Sequence, residues 1–517
     1  MSRPRPPGVL AAWGAFGVGA IYMLWVASAA WGDPLGRYAV TFPDSFDWLV
    51  NGLRHAGVPI IDPTWRAPLS PMLYGVLFRI GAEDLIPVLG PLYAVALLGV
   101  VAWLAPALVG RAAAPAILLL ATNRLVLSYM GAIGSDTLVV CLVTLGLLLA
   151  VQATASDSTR HWWASGAAFG LGYLAQPSLP LLVPSLGALV LCGKAPWRSW
   201  RGWRGPLLAV VIGTLVVCLV ELLRWPMIGL FRPPTNVMRP VLIPSGHLGF
   251  FALASLGSCG IPAALSVCVG ALVGIRRVPT RPLAIASTVL IVTHLIFFGT
   301  IYDWRDTRFV LYWTPAAMLL AGIALTAVPR PLALLAVLLS MVIGNLMPRG
   351  YQPLSPDAVM ILGPQRVASV SAVDGRLRWA DMSVQPFHHV FGRWLAHRRT
   401  ALTNPRNDDA AYGVERVGIV AAAVEHMPEQ QVLYVAVGAD LSAGVSYILR
   451  NTFAIHARRG VRLLVATQDP LPQAPAFMVV QTTLLNEWRA MPAGGPRITV
   501  LQEAPRWAAV RLEGPGA

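Results

Sequence analysis

The chain has 517 residues, of which 56% are hydrophobic and only 12% charged, with a mean hydropathy of +0.63. A soluble protein carries about twice that charged fraction, so composition alone excludes an ordinary soluble globular protein. The net charge of +15 does not indicate a nucleic-acid partner: the basic residues are arginines apart from Lys194, and up to residue 347 most of them sit in loops between apolar runs. Membrane topology and contact with anionic lipids account for that placement.

Apolar runs near 20 residues recur, the length a helix needs to cross roughly 30 Å of hydrocarbon. Spans are expected at about 9–31, 85–107, 112–130, 136–154, 162–175, 178–194, 206–225, 250–274, 282–302, 309–328 and 331–347, eleven in all. The first follows Arg3 and Arg5 and is too long for a signal-peptide core, so it reads as an uncleaved helix. Between the first two spans, 44–57 and 68–82 read as shorter amphipathic helices lying along the membrane surface.

With the N-terminus in the cytoplasm, the richest basic clusters fall inside: Lys194, Arg198, Arg201 and Arg204, then Arg276, Arg277 and Arg281. Parity then collects Asp44, Asp47, Arg66, Ser135, Asp136, Arg232, Arg239 and the run from Tyr302 to Arg308 on the outer face. It also places the C-terminus outside. A multi-pass protein of the inner (plasma) membrane is the expectation.

After Met347 the chain becomes less apolar. Residues 431–437 and 461–466 alternate like strands, with a helix-like stretch at about 441–458 between them. That order predicts a parallel pair in a small extracytoplasmic α/β domain. The expected domains are therefore 1–347, a transmembrane domain with surface helices in its first outer loop (about 32–84), and 348–517. Gly438 and Asp440 after the first strand resemble a ligand-binding turn, but one Gly-x-Asp reads more readily as a structural turn. The five cysteines form no C-x-x-C pair, which indicates neither a zinc site nor a disulfide framework. The histidines, among them His161, His247, His294 and the adjacent His388 and His389, lack metal-ligand spacing.

Candidate chemistry gathers on the outer face. Asp44 either caps the helix that follows it or acts as a general base toward an acceptor hydroxyl or amine. Asp47, one helical turn on, competes for that role. Asp136 opens a span where the helix dipole favours its charge; beside Asp44 it would raise one pKa, orient an acceptor or bind a divalent cation, Mg or Mn, the one cofactor candidate. Arg305 and Arg308 form either a local ion-pair cluster with Asp303 and Asp306 or a phosphate-recognising fork. Arg66, Arg232 and Arg239 are further candidates to neutralise a phosphate leaving group.

The order of these residues resembles the GT-C superfamily of polytopic glycosyltransferases that use polyprenyl-phosphate-linked sugars, similar to its ArnT/PMT-like members. Those enzymes carry an acid soon after the first span with an aromatic four residues on, as in Asp44 and Trp48. A basic-plus-proline segment leads into the second surface helix, as in Arg66-Ala-Pro68-Leu. Ser135-Asp136, the small-residue run from Gly166 to Pro177, and Arg308-Phe309 followed by Pro315 match later motifs in order. Ser45 stands in place of a second acid, Ala67 of a proline and Gln176 of a frequent arginine.

The resemblance implies an α-helical GT-C-like membrane fold and inverting transfer of a sugar from a polyprenyl-phosphate donor to an extracytoplasmic glycan, lipid or protein acceptor. It implies Asp44, Asp47 and Asp136 as the catalytic candidates and Arg66, Arg305, Arg308 and Trp48 as substrate-binding residues. Membrane lipids are the surrounding partners, with no nucleic acid. A lipid or lipid-linked-glycan transporter, for which Glu221 is the main intramembrane acid, and a non-catalytic envelope scaffold are the rival readings.

Overall fold

The computed structural model describes residues 8–31, 43–60, 66–130, 133–177, 179–193, 199–228, 248–259, 261–301, 308–346, 365–370, 377–382, 418–428, 431–438, 450, 453–455, 457–466, 469–491 and 497–513. Helices run in the order α1 (Val9–Trp31), α2 (Pro43–His55), α3 (Leu69–Arg79), α4 (Ile86–Leu104), α5 (Pro106–Val109), α6 (Ala113–Ala121), α7 (Arg124–Tyr129), α8 (Asp136–Ser156) and α9 (Thr159–Ala175). They continue as α10 (Val183–Val190), α11 (Trp200–Ile228), α12 (Leu248–Cys259), α13 (Ile261–Arg276), α14 (Arg281–Ile296), α15 (Arg308–Leu311), α16 (Thr314–Leu325) and α17 (Arg330–Leu346). Strands β1 (Gln365–Val370), β2 (Leu377–Met382), β3 (Leu433–Val437), β4 (Val461–Val465) and β5 (Ala476–Gln481) follow, then α18 (Thr482–Arg489), β6 (Ile498–Glu503) and β7 (Trp507–Leu512).

Among the described residues, Asp136–Ser156, Trp200–Arg224 and Arg281–Ile301 are long and apolar enough to cross a membrane, and Val88–Leu104 with Pro106–Ala121, bent by 41°, is either a fourth, broken span or a re-entrant loop. The expected count of eleven is not confirmed, because several apolar runs are short or broken helices. The 85–107 run ends where Pro106, which has no backbone N–H to donate, opens a new turn. The 112–130 run divides at Asn123, whose extended backbone and side-chain oxygen, accepting from the Leu125 and Val126 amides, cap α7. The 250–274 run divides into α12 and α13.

Small residues set the closest helix contacts, as expected where lipid supplies no drive for helices to associate and only close backbone approach rewards it. Gly166 and Gly170, one turn apart on α9, face Ala209 and Gly213 of α11; a methyl group on Gly170 would sit 2.6 Å from the Gly213 carbonyl oxygen. This seam fixes α11 along α9 and so sets where its far end lands, beside α2.

The two surface helices occur where the sequence places them, at Pro43–His55 and Leu69–Arg79. They pack at close range: an added Cβ on Gly52 would meet the Tyr74 side chain 2.8 Å away. Beyond them lies a five-stranded sheet of order β4-β3-β5-β7-β6, in which β3 pairs parallel with β4 and β5, and β7 antiparallel with β5 and β6. The strands expected at 431–437 and 461–466 are thus the parallel pair; the helix expected between them falls largely outside the described residues. The Gly438 amide donates to Gln481 Oε1 at 2.9 Å, and Asp440 falls outside the described residues.

Alternation with period two gives the sheet two apolar faces. Leu433, Val435, Val437, Phe477 and Val479 belong to the same hydrophobic cluster as Trp48, Leu49, Val50 and Leu53 of α2 and Tyr74 of α3. Arg458 and Glu83 add an ion pair between the sheet domain and the segment after α3. The surface helices are therefore held between the helical bundle and the sheet domain.

Replacing Gly170 by Leu is expected to cost about 1–3 kcal/mol through overpacking against Gly213. Gly187→Ala, inside α10 where an added Cβ meets nothing within 4 Å, is expected to hold stability or raise it by up to about 1 kcal/mol. Thermal unfolding of the two purified variants in detergent checks the difference.

Candidate active site

Helix α2 begins at Pro43, so Asp44 lies inside its first turn instead of capping a helix that starts at Ser45. A carboxylate there is favoured by the positive end of the helix. The Asp44 side chain lies outside the described residues.

Asp47, one turn along, is 2% exposed. A buried carboxylate is costly unless it is paired and hydrogen-bonded, and Arg66 supplies that pair from the connection between α2 and α3. Arg66 Nε donates to Asp47 Oδ2 at 3.0 Å, and Nη2 donates to the same oxygen. The guanidinium carbon of Arg66 also lies 5.7 Å from the centroid of the Trp48 ring, within cation–π range. Asn51 Nδ2 donates to the Asp47 backbone carbonyl at 2.8 Å, adding a side-chain bond along this turn of α2. Asp47, Trp48 and Arg66 are thus one unit that spans 19 residues of sequence.

Asp136 occupies the first turn of α8, with Ser135 as the N-cap residue and no side-chain capping bond. Its carboxylate instead accepts from the Tyr312 hydroxyl at 3.0 Å, a contact bridging 176 residues. Tyr74 on α3 donates to the Gly134 carbonyl at 2.8 Å. Burial, reinforced by Tyr93 and by the Asp136 charge and partly offset by the bond to Gly134, holds the Tyr74 phenol above its usual range, so it remains a donor. A methyl group built on Gly134 would lie 3.6 Å from both Asp136 Oδ2 and Trp48 Nε1. The Asp47–Trp48–Arg66 unit and the Asp136–Tyr312 pair therefore meet across Gly134.

Arg308 opens α15, four residues before Tyr312, and its guanidinium carbon lies 5.4 Å from the Phe309 ring. Phe309 in turn stacks on Phe298 with centroids 4.3 Å apart and planes 6° from parallel. Helix α15 packs against α7 and α8, which carries Arg308 to the region of Asp136. Arg305, Arg232 and Arg239 fall outside the described residues. Among the described residues no three His, Cys, Asp or Glu side chains converge as a metal site.

Tyr74 and Tyr312 are the polar residues that sequence reading missed. Tyr312 sits one helical turn after Arg308, a spacing that puts both on one face. Tyr74 carried no such signal, because its partner is a backbone carbonyl 60 residues away.

The Asp47–Arg66 pair is open to a direct test. Arg66→Gln strands a buried carboxylate and is expected to destabilise the chain by about 3 kcal/mol. Adding Asp47→Asn is expected to recover part of that loss, giving a coupling of about 1–3 kcal/mol in a double-mutant cycle followed by thermal unfolding. Strict additivity would show that the pair is not coupled.

A family model described as dolichyl-phosphate-mannose-protein mannosyltransferase matches residues 66–223. No curated protein sequence is significantly similar to the chain. Among solved structures, ArnT from Cupriavidus metallidurans bound to undecaprenyl phosphate superposes with a TM-score of 0.62 at 17% identity, covering 97% of this chain and 98% of that one. The apo state of ArnT from Cupriavidus metallidurans gives a TM-score of 0.59 at 18% identity, covering 92% and 94%. The match is end to end and includes the sheet domain beyond the helices: the chain has the fold of ArnT from Cupriavidus metallidurans.

Proposed function

We propose that this chain is a membrane glycosyltransferase that moves a sugar from a polyprenyl-phosphate donor to an acceptor at the extracytoplasmic membrane surface. The observation that carries this reading is the meeting, across Gly134, of a buried carboxylate–arginine–tryptophan unit with a tyrosine-bound aspartate, between a membrane bundle and an α/β domain. The fold shared with ArnT and the family match over 66–223 support it.

In this reaction the acceptor's nucleophilic atom attacks the anomeric carbon while the bond from that carbon to the phosphate oxygen breaks. The electron pair leaves with the phosphate, and Asp44 takes the acceptor's proton. Attack opposite the leaving group inverts the anomeric centre. Arg66, a planar fork held in a part-buried position, offsets the charge that grows on the phosphate. Arg308, and Arg305 from the same connection, serve the same phosphate. Asp136, fixed by Tyr312, orients the acceptor. Arg66 Nε and Nη2 both donate to Asp47 Oδ2, so the part of Asp47 is to aim Arg66, with Trp48 as the platform. A divalent cation would require Asp44 and Asp136 together.

The transporter reading rests on an acid within a span. Glu221 is paired with Arg224 at 2.6 Å, one turn away on the same helix, so it is not an isolated acid within α11.

The test is release of polyprenyl phosphate from a panel of polyprenyl-phosphate sugars by the full chain in detergent with candidate acceptors. Asp44→Asn is expected to lower turnover by about 10²–10⁴-fold, the contribution of a general base, with donor binding retained. Equal turnover would move the base to another carboxylate, and an absence of transfer from every donor by wild-type protein would overturn the reading.

A further inference from the structure

A second basic group lies on α2, two turns beyond Asp47 and about 10 Å along the helix axis from it. Arg54 and His55 form the last turn of α2, where cations complement the negative end of the helix. That effect accounts for Arg54 but not for the cations that come to the same place from other helices. Gly75 of α3 abuts His55, since an added Cβ would fall on the His55 side chain and backbone. Arg79, one turn after Gly75, lies on the same face of α3 and brings an exposed guanidinium to the His55 end of α2. From the other side α11 packs on α2, and Arg224, near the end of α11, is 2% exposed. Arg224 Nη1 donates to Glu221 at 2.6 Å, while its Nε–H is buried with no acceptor.

Burial and the three arginines, Arg224, Arg54 and Arg79, push the His55 imidazole down to about 3. The histidine is therefore neutral and able to donate or accept a hydrogen bond, and the arginines lie within electrostatic reach of it. An arginine buried with one N–H facing no acceptor is costly, and an anion seated there would satisfy it. Leu219, Leu222 and Leu223, on α11 beside Arg224, are 57%, 68% and 62% exposed, so the group borders a lipid-facing apolar surface. A cationic cluster at the edge of such a surface matches a molecule with an anionic head and an apolar tail.

We infer that Arg54, Arg79 and Arg224, with His55, form a binding site for the phosphate of an anionic lipid headgroup, separate from the Asp47–Arg66 unit. The lipid's acyl chains would run along the exposed leucines of α11 and its phosphate would accept from the arginine forks. The site goes beyond the proposed transfer reaction and does not depend on it.

The test uses the full chain in phosphatidylcholine nanodiscs, titrated with phosphatidylglycerol and followed by native mass spectrometry. Wild-type protein is expected to retain phosphatidylglycerol. Arg79→Gln, at an exposed position that leaves the core intact, is expected to weaken retention about fivefold, and Arg54→Gln with Arg79→Gln about 25-fold. Arg79→Lys is expected to keep most of it. A parallel titration with inorganic phosphate distinguishes the source: thermal stabilisation of wild type that is lost in Arg79→Gln, without lipid retention, assigns the same site to a free phosphate. Equal phosphatidylglycerol retention by wild type and the double variant, or no retention of either ligand by wild type, would overturn the inference.

Discussion

The buried Asp47 carboxylate constrains everything around it. At 2% exposure it cannot remain ionised without a partner, and its partner, Arg66, comes from outside its own helix. Satisfying that charge draws the end of the α2–α3 connection back onto α2 and places a guanidinium beside Trp48. A cation that would otherwise point to water is thereby set in a protein wall at the level where Asp136 and Tyr312 meet. Breaking the pair would release both the loop and the arginine.

That arrangement needs rigid support on two sides. On one side the bundle gives it, through glycine seams such as Gly166 and Gly170 against α11, which fix helix positions by backbone contact. On the other side the sheet domain gives it, since Val435 and Phe477 share a hydrophobic cluster with Trp48 and Leu53. The α/β domain is thus part of the site's scaffold, held further by Arg458 and Glu83. The same support brings Arg54, Arg79 and Arg224 to the other end of α2, so the two proposed anion sites border opposite ends of one short helix.

Much of this was legible in the residues. Apolar run length marked the membrane helices, and amphipathic patterning with proline and glycine breaks located α2 and α3 to within three residues at either end. Strand alternation found β3 and β4. The span count was not legible, because hydropathy does not register a break such as Asn123, where a side chain takes over the backbone hydrogen bonds of a helix start. Asp47 was read as a rival base because spacing puts it one turn from Asp44; its engagement by Arg66, 19 positions away, is a contact that no local pattern states. Tyr74 and Tyr312 were missed for the same reason: their partners are 60 and 176 residues away.

The central claim is that Arg66, aimed by Asp47, faces the phosphate of a polyprenyl lipid. A cryo-electron-microscopy structure of the full chain in nanodiscs containing undecaprenyl phosphate tests it most directly. The expected result is phosphate density within about 3 Å of the Arg66 guanidinium, a normal charge-assisted hydrogen bond, with Asp47 still in contact and Asp136 facing the same space. Phosphate density seated away from Arg66, with the Asp47–Arg66 pair closed off from the lipid, would contradict it.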